Sequence, residues 1–203
     1  MTEAGPNNFY IDPIDALRKR GSVGRPMICN RIRIVNEQGE AAAVNEVGEI
    51  QISGHHLFEA YWNNPAASAD ACSGEWFCTG DLGRFDDEGF YYIVGRKKDM
   101  IITGGENVYP LEIEHHLQQH AYVAEAAVIG LPDAKWGELV TAVIVLREGC
   151  QASCEELQAY CANHIGKYKV PKKIIFVTAL PKTPVGKIDK KSIVLAFSNH
   201  VQQ

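Results

Sequence analysis

Apolar and polar positions alternate through the first half of the chain, the period-two pattern of half-buried strands. Arg31-Ile32-Arg33-Ile34-Val35 places its isoleucines on one side, and Asn36 to Glu40, with Gly39, supplies a turn. A second strand-like run follows from Gly48 to Ser53. Trp76 to Asp81 and Phe90 to Val94 add two aromatic, strand-prone stretches, separated by the acidic turn Asp86-Asp87-Glu88-Gly89. Only the stretch from Ala60 to Cys72 leaves room for a helix of any length. The pattern predicts a β-rich segment.

Beyond Gly95 the pattern changes. Arg96-Lys97-Lys98-Asp99 is a charged break. Pro110 suits the first turn of a helix, with Glu112 and Glu114 near its positive end and a stop near Gln119. Thr141 to Leu146 is a short continuous apolar run and predicts a buried strand. Ser153-x-x-Glu156 is a capping box, and it opens a helix whose Leu157, Tyr160, Cys161 and Ile165 share a face. Lys173 to Val177 predicts a further strand and Lys190 to Phe197 a last helix. The fold class expected is α/β (α+β): a β-rich segment over residues 1–97, then a small mixed α/β unit over residues 98–203.

With 203 residues, 46% hydrophobic and 22% charged, the chain has enough apolar content for a core. No apolar run approaches the ~18 residues that span a bilayer, and the first residues lack the basic and apolar regions of an export signal. Six cysteines without a CxxC pair read as reduced thiols, which places the chain in the cytoplasm. The net charge of −5 conceals an asymmetry. From Asn163 onward there are eight lysines and one acidic residue, Asp189, while the remainder holds twelve basic and twenty-four acidic residues. Such a tail is either a local anion site or a solvated lysine face.

Several chemical patterns fail on inspection. His116 and His120 are four apart, but Leu117 stands where a zinc protease requires its glutamate base, and no third ligand is in view. Cys150, Cys154 and Cys161 lack metal-ligand spacing and are expected to pack as small apolar groups. Gly186-Lys187 resembles the end of a phosphate-binding P-loop, yet Pro181 replaces its first glycine and Ile188 its hydroxyl residue. The Arg96-Lys97-Lys98 cluster is too short, on too acidic a chain, for nucleic acid.

Four stretches remain. They are Thr2-Glu3 in the opening MTEAGP, Thr79-Gly80-Asp81 after an aromatic run, the segment Gly95 to Asn107 with Arg96, Lys98 and Gly104-Gly105, and Pro181 to Lys187. Taken singly, each has a bland reading as terminus, turn or surface charge. In this order and spacing, together with Gly21 to Pro26 and Glu112-Ile113-Glu114, they resemble the adenylate-forming superfamily, in the branch of acyl-CoA synthetases.

That resemblance implies a reaction in which a carboxylic acid and MgATP give an acyl-adenylate and pyrophosphate, and the acyl group then passes to the thiol of coenzyme A. It implies that Thr2 contacts the α-phosphate and Glu3 holds Mg²⁺ through hard oxygens. Asp81 accepts from the ribose hydroxyls, Arg96 donates to the ribose, and Ile93 lines the adenine pocket. Lys187 becomes the catalytic lysine, cationic at neutral pH, that offsets charge on the carboxylate and α-phosphate. Lys98 becomes the pivot of a swinging C-terminal domain, and Gly104 and Gly105 a close-packed loop beside the pantetheine arm of coenzyme A. Residues 1–97 correspond to the C-terminal part of the large AMP-binding domain and residues 98–203 to the small mobile domain. The family's phosphate-binding loop and acid pocket have no counterpart here, so the chain is expected to be a C-terminal portion, inactive by itself, with a missing N-terminal segment as partner if the enzyme is split. A carrier-protein-loading adenylation domain and a noncatalytic nucleotide- or CoA-binding fragment are the alternatives. No nucleic acid and no membrane span are expected.

Overall fold

The computed structural model describes residues 1–198. In chain order its elements are β1 (Phe9–Tyr10), α1 (Pro13–Arg18), β2 (Ser22–Pro26), β3 (Arg31–Val35), β4 (Gly48–Ser53), α2 (Pro65–Asp70), β5 (Cys72–Ser73), β6 (Trp76–Phe85) and β7 (Tyr91–Arg96). After a 3-10 turn at Lys97–Asp99 come β8 (Ile101–Thr103), β9 (Glu106–Val108), α3 (Pro110–Gln118), β10 (Val123–Asp133), β11 (Gly137–Leu146), α4 (Cys154–Ala162), β12 (Lys173–Phe176) and α5 (Lys190–Ser198). The chain divides into two compact units, Met1–Lys98 and Asp99 onward. No helix among the described residues is long and apolar enough to cross a membrane.

The first unit is an antiparallel sheet in the order β1-β2-β7-β6-β4-β3, with β5 paired to β6. The alternation read from the sequence sets its two faces. Ile34, Ile50 and Ile52 are buried with Ala4, Ala42 and Tyr91, and Phe9, Val23 and Phe85 pack against them. Arg33, on the opposite face, lies over the Trp76 ring at 4.2 Å and donates to Gln51 at 2.9 Å. The helices here are short, six residues each, and both begin with proline after a capping Asp12 or Asn64. The pattern did not announce α1, the edge strand β1 or its neighbour β2. Gly24, in β2, has φ +98, and a Cβ there would fall 1.9 Å from the Tyr10 carbonyl oxygen, so only glycine allows β1 to lie alongside.

In the second unit β10 and β11 form a long antiparallel hairpin, joined by β8 and β9 on one side and by a parallel β12. Helices cover both faces. Ile113 and Leu117 of α3, with Leu157 and Cys161 of α4, pack on Ala126, Val128, Val140, Ala142 and Ile144. On the other face Ile193 of α5 packs with Ala127, Ile129, Leu131 and Val143. Val140 through Ile144 are all buried, which is why that stretch reads as continuously apolar instead of alternating. Ser153 caps α4 by accepting the Glu156 N–H at 3.1 Å. His116 and His120 project to the α4 side, where His116 stacks on Tyr160 with centroids 4.4 Å apart and His120 meets the same ring edge-on at 4.8 Å.

The β6–β7 turn hangs on Asp86. Its Oδ1 accepts the N–H groups of Glu88 and Phe90, at 3.0 and 2.9 Å, and its Oδ2 meets Lys19 Nζ at 2.7 Å and the Tyr92 hydroxyl at 3.2 Å. Burial pushes this carboxyl up, but the Lys19 ammonium and the two N–H donors outweigh it and hold the carboxyl at about 2. A carboxylate with its pKa lowered on folding stabilises the native state above its unfolded value near ~3.9 and loses that contribution as pH falls through the folded value. The stability difference between wild type and Asp86→Asn is therefore expected to be constant above about pH 5 and to shrink steadily toward pH 2. Denaturant unfolding across that range checks it, and a gap that stays constant down to pH 2 would refute the role.

Candidate active site

Asp81 sits in a folded kink within β6. The Thr79 hydroxyl donates to the Ile50 carbonyl at 2.7 Å and accepts the Asp81 N–H at 3.0 Å. Gly80 has φ +68, and its N–H donates to Glu49 Oε1 at 3.1 Å. The β6–β7 register places Arg96 opposite Asp81, with Arg96 Nε 2.6 Å from Asp81 Oδ1. Both side chains are partly exposed (43% and 24%), so the pair contributes only ~0–1 kcal/mol to folding; its importance lies in holding a carboxylate and a guanidinium at one edge. Lys97 follows, its Nζ 3.0 Å from Glu49 Oε2. A shallow cleft of about 310 Å³ is lined by Gly80, Arg96, Lys97 and Lys98. Ile93, opposite Gly83 on β7, is partly exposed.

Thr2 and Glu3 belong to another set of contacts in this unit. The Thr2 carbonyl accepts the Gly5 N–H at 3.3 Å and the Glu3 carbonyl accepts the Phe58 N–H at 2.8 Å. The Tyr61 hydroxyl donates to Glu3 Oε1 at 3.1 Å. Burial first, and then the bond to Glu3, raises the Tyr61 phenol. Tyr61 packs on Phe58, and Phe58 on Phe77, so the Glu3 carboxylate is oriented from an aromatic cluster. Sequence reasoning missed Tyr61 and Glu49. Glu49 carries a faint signal as the acid beside Gly48 on a strand of isoleucines; Tyr61 carries none, since its partner is 58 positions away.

In the second unit Gly104 and Gly105 form the tip of the β8–β9 hairpin, with φ +60 and +86. Two successive positive φ angles make a two-residue turn that glycine adopts without strain. The Gly104 N–H donates to the Trp136 carbonyl at 2.8 Å, and Lys172 Nζ lies 3.1 Å from the centroid of the Trp136 ring. Lys187 is presented by its own small hairpin. The Thr183 N–H donates to the Lys187 carbonyl at 2.7 Å, the Gly186 N–H to the Thr183 carbonyl at 2.8 Å and the Lys187 N–H to the Thr183 hydroxyl at 3.2 Å.

The lysine tail is partly paired within its own unit. Lys169 pairs with Glu112, Lys182 with Glu125 and Lys190 with Glu114, at 2.7 to 3.0 Å. Three of the eight tail lysines are thus paired with acidic residues of the same unit, while the Lys187 side chain makes no ion pair among the described residues. Thr2, Glu3, Asp81, Ile93, Arg96 and Lys98 lie in the first unit; Gly104, Gly105 and Lys187 lie in the second.

Known proteins bear on this arrangement. The family model for AMP-binding enzymes matches residues 1–62, and that for the AMP-binding enzyme C-terminal domain matches residues 112–187. The long-chain-fatty-acid–CoA ligase FadD13 of Mycobacterium tuberculosis is 47% identical over 190 residues, covering 94% of this chain and 37% of that protein. The o-succinylbenzoate CoA synthetase MenE of Bacillus subtilis, solved with its acyl-adenylate intermediate, superposes with a TM-score of 0.90 at 37% identity, covering 95% of this chain and 39% of that one. The same enzyme solved with ATP and magnesium gives 0.86 at 37% identity, over 93% of this chain and 38% of that one. The chain belongs to the adenylate-forming, AMP-binding enzyme superfamily, on its acyl-CoA synthetase branch. It spans well under half the length of these relatives.

The two glycines of the β8–β9 tip separate backbone strain from crowding. A Cβ at Gly105 meets open space, so Gly105→Ala is expected to cost only the left-handed strain, ~1–2 kcal/mol. A Cβ at Gly104 would approach the Trp136 ring at 3.1 Å, so Gly104→Ala is expected to cost more. Chemical denaturation of the two variants checks the order.

Proposed function

We propose that this chain is the C-terminal part of an AMP-forming acyl-CoA ligase, which converts a carboxylic acid, ATP and coenzyme A to acyl-CoA, AMP and pyrophosphate through an acyl-adenylate. The acid belongs to the fatty or aryl class, as the substrates named for the relatives suggest. The observation that carries the reading is the Asp81–Arg96 pair, fixed on neighbouring strands, with Arg96 lining a cleft shared with Gly80, Lys97 and Lys98. Asp81 offers a carboxylate to two vicinal hydroxyls, and Arg96 supplies a rigid fork of donors. Lys187, on a braced hairpin and without an ion-pair partner among the described residues, is suited to offset charge developing between acid and α-phosphate. A magnesium ion would be held by Glu3 and by the nucleotide's phosphates, in keeping with a cation that takes one or two carboxylates and substrate oxygens; it would supply charge neutralisation. No group of three or more His, Cys, Asp or Glu that could form a metal cage occurs among the described residues.

The second half-reaction needs coenzyme A to reach the acyl-adenylate, and we assign to Lys98 the pivot of the domain movement that admits it. Lys98 closes the first unit inside a 3-10 turn, a short segment able to absorb a change of backbone dihedral. Gly104 and Gly105 keep the β8–β9 tip free of side chains, as passage of a pantetheine arm requires. Six unpaired cysteines, including the buried Cys161, whose thiol burial pushes up to about 11, fit a reducing compartment such as the cytoplasm.

The test supplies an N-terminal AMP-binding segment to this chain, covalently or in trans, and reads pyrophosphate release with fatty and aromatic acids. The lone chain is expected to be inactive and the completed protein active. In the latter, Lys187→Ala should slow adenylation by roughly 10²–10³-fold while thioester formation from supplied acyl-adenylate changes little. Lys98→Pro, which fixes φ near about −65°, should do the reverse. Equal loss in both half-reactions for either variant would refute its assigned role, and release by the lone chain would overturn the reading of it as a part.

A further inference from the structure

Glu114 is a carboxylate in an unexpected place. The pattern puts it in the first turns of α3, where an acid would merely face the helix's positive end, yet its side chain is only 10% exposed. Its Oε1 accepts the Val128 N–H of β10 at 2.7 Å and lies 2.7 Å from Lys190 Nζ. The geometry of these contacts is a clasp. Helices α3 and α5 cover opposite faces of the same sheet, and β10 is its outer strand, with β11 as its only strand neighbour among the described residues. Glu114 reaches the outer edge of β10 from one face, and Lys190, the first residue of α5, reaches it from the other. Lys190 is three residues after Lys187.

The hairpin that presents Lys187 is tied down at its two ends. At its start Lys182 pairs with Glu125 on β10 at 3.0 Å, an exposed contact of small value. Beyond its end stands the buried Glu114–Lys190 pair, where loss of either partner leaves an uncompensated charge out of water. The Asp189 N–H donates to the Pro181 carbonyl at 2.8 Å and closes the loop between the two ties.

We propose that Glu114 is a positioning residue for Lys187: through Lys190 it fixes the C-terminal foot of the catalytic hairpin to the edge of β10. This rests on the reading of Lys187 given above. The test is amide hydrogen exchange on the intact 203-residue chain, which needs no turnover. Glu114→Gln keeps an acceptor for the Val128 N–H and removes the ion pair. It is expected to speed exchange of the hydrogen-bonded Thr183 and Gly186 amides by roughly tenfold, with β10–β11 amides at wild-type rates. Lys190→Met should do the same and Lys190→Arg should not, so the comparison survives if one variant fails to fold. Wild-type exchange at Thr183 and Gly186 in both ion-pair variants would overturn the proposal. So would loosening spread evenly over β10, α5 and the hairpin, the signature of a purely structural role. In the completed enzyme Glu114→Gln should lower kcat for adenylation with KM for ATP unchanged. If instead Lys187→Ala left adenylation intact, the catalytic reading would fail while the exchange result stood.

Discussion

The register between β6 and β7 governs the first unit. Because opposite side chains alternate along an antiparallel pair, a slip of one residue would send Asp81 and Arg96 to different neighbours and faces. The turn that pairs Phe85 to Gly83 with Tyr91 to Ile93 is held by one carboxylate, Asp86, through two backbone N–H groups, the lysine that follows α1 and a tyrosine from β7, and a one-residue shift beyond it brings Asp81 opposite Arg96. The Asp81–Arg96 pair can be only as well placed as that turn and that shift. The Lys19 contact also binds α1 to the far side of the sheet, so the short helix has a purpose that its exposed Ile14 and Leu17 do not suggest.

The second unit depends on burial more than on charge. The β10–β11 hairpin supplies apolar side chains to both faces, so helices must cover both, and the chain must return to each side in turn. That requirement carries α5 around to the face opposite α3 and delivers the Lys187 hairpin at its start. Chemistry and architecture therefore share one segment: the loop that presents the lysine is also the connection that lets the last helix reach its site.

Much of this was legible in the residues. Arg31–Val35 and Gly48–Ser53 were read to the residue because one face of each is buried and the other is wet. Pro110 and Ser153 marked the starts of α3 and α4 because proline and serine solve a local hydrogen-bonding problem that helix ends always have. The strands β1, β8 and β9 were not predicted, since two or three residues give no period to detect, and β2, with Gly24 inside it and Pro26 at its end, lacks the alternation that marks β3. β10 was missed for the opposite reason: Val123–Asp133 mixes alanine, glycine and proline, and burial between two layers, not propensity, makes it a strand. Among the candidate site residues, those embedded in short motifs were visible. Tyr61, Glu49 and the inward turn of Glu114 were not, because each acquires its meaning only from a partner brought close by folding.

The outer position of β10 has a consequence beyond catalysis. An eleven-residue strand with one edge unpaired by any strand among the described residues invites a strand from another molecule to add to it, the route by which sheets grow into aggregates. Here the outward N–H of Val128 is already taken by a carboxylate, and an ammonium group stands next to it at mid-strand. A visiting strand would have to displace a charged pair and leave both charges without compensation. The same contact that steadies the end of a loop thus keeps the sheet finite, and a protein that loses it stands to lose solubility before it loses its fold.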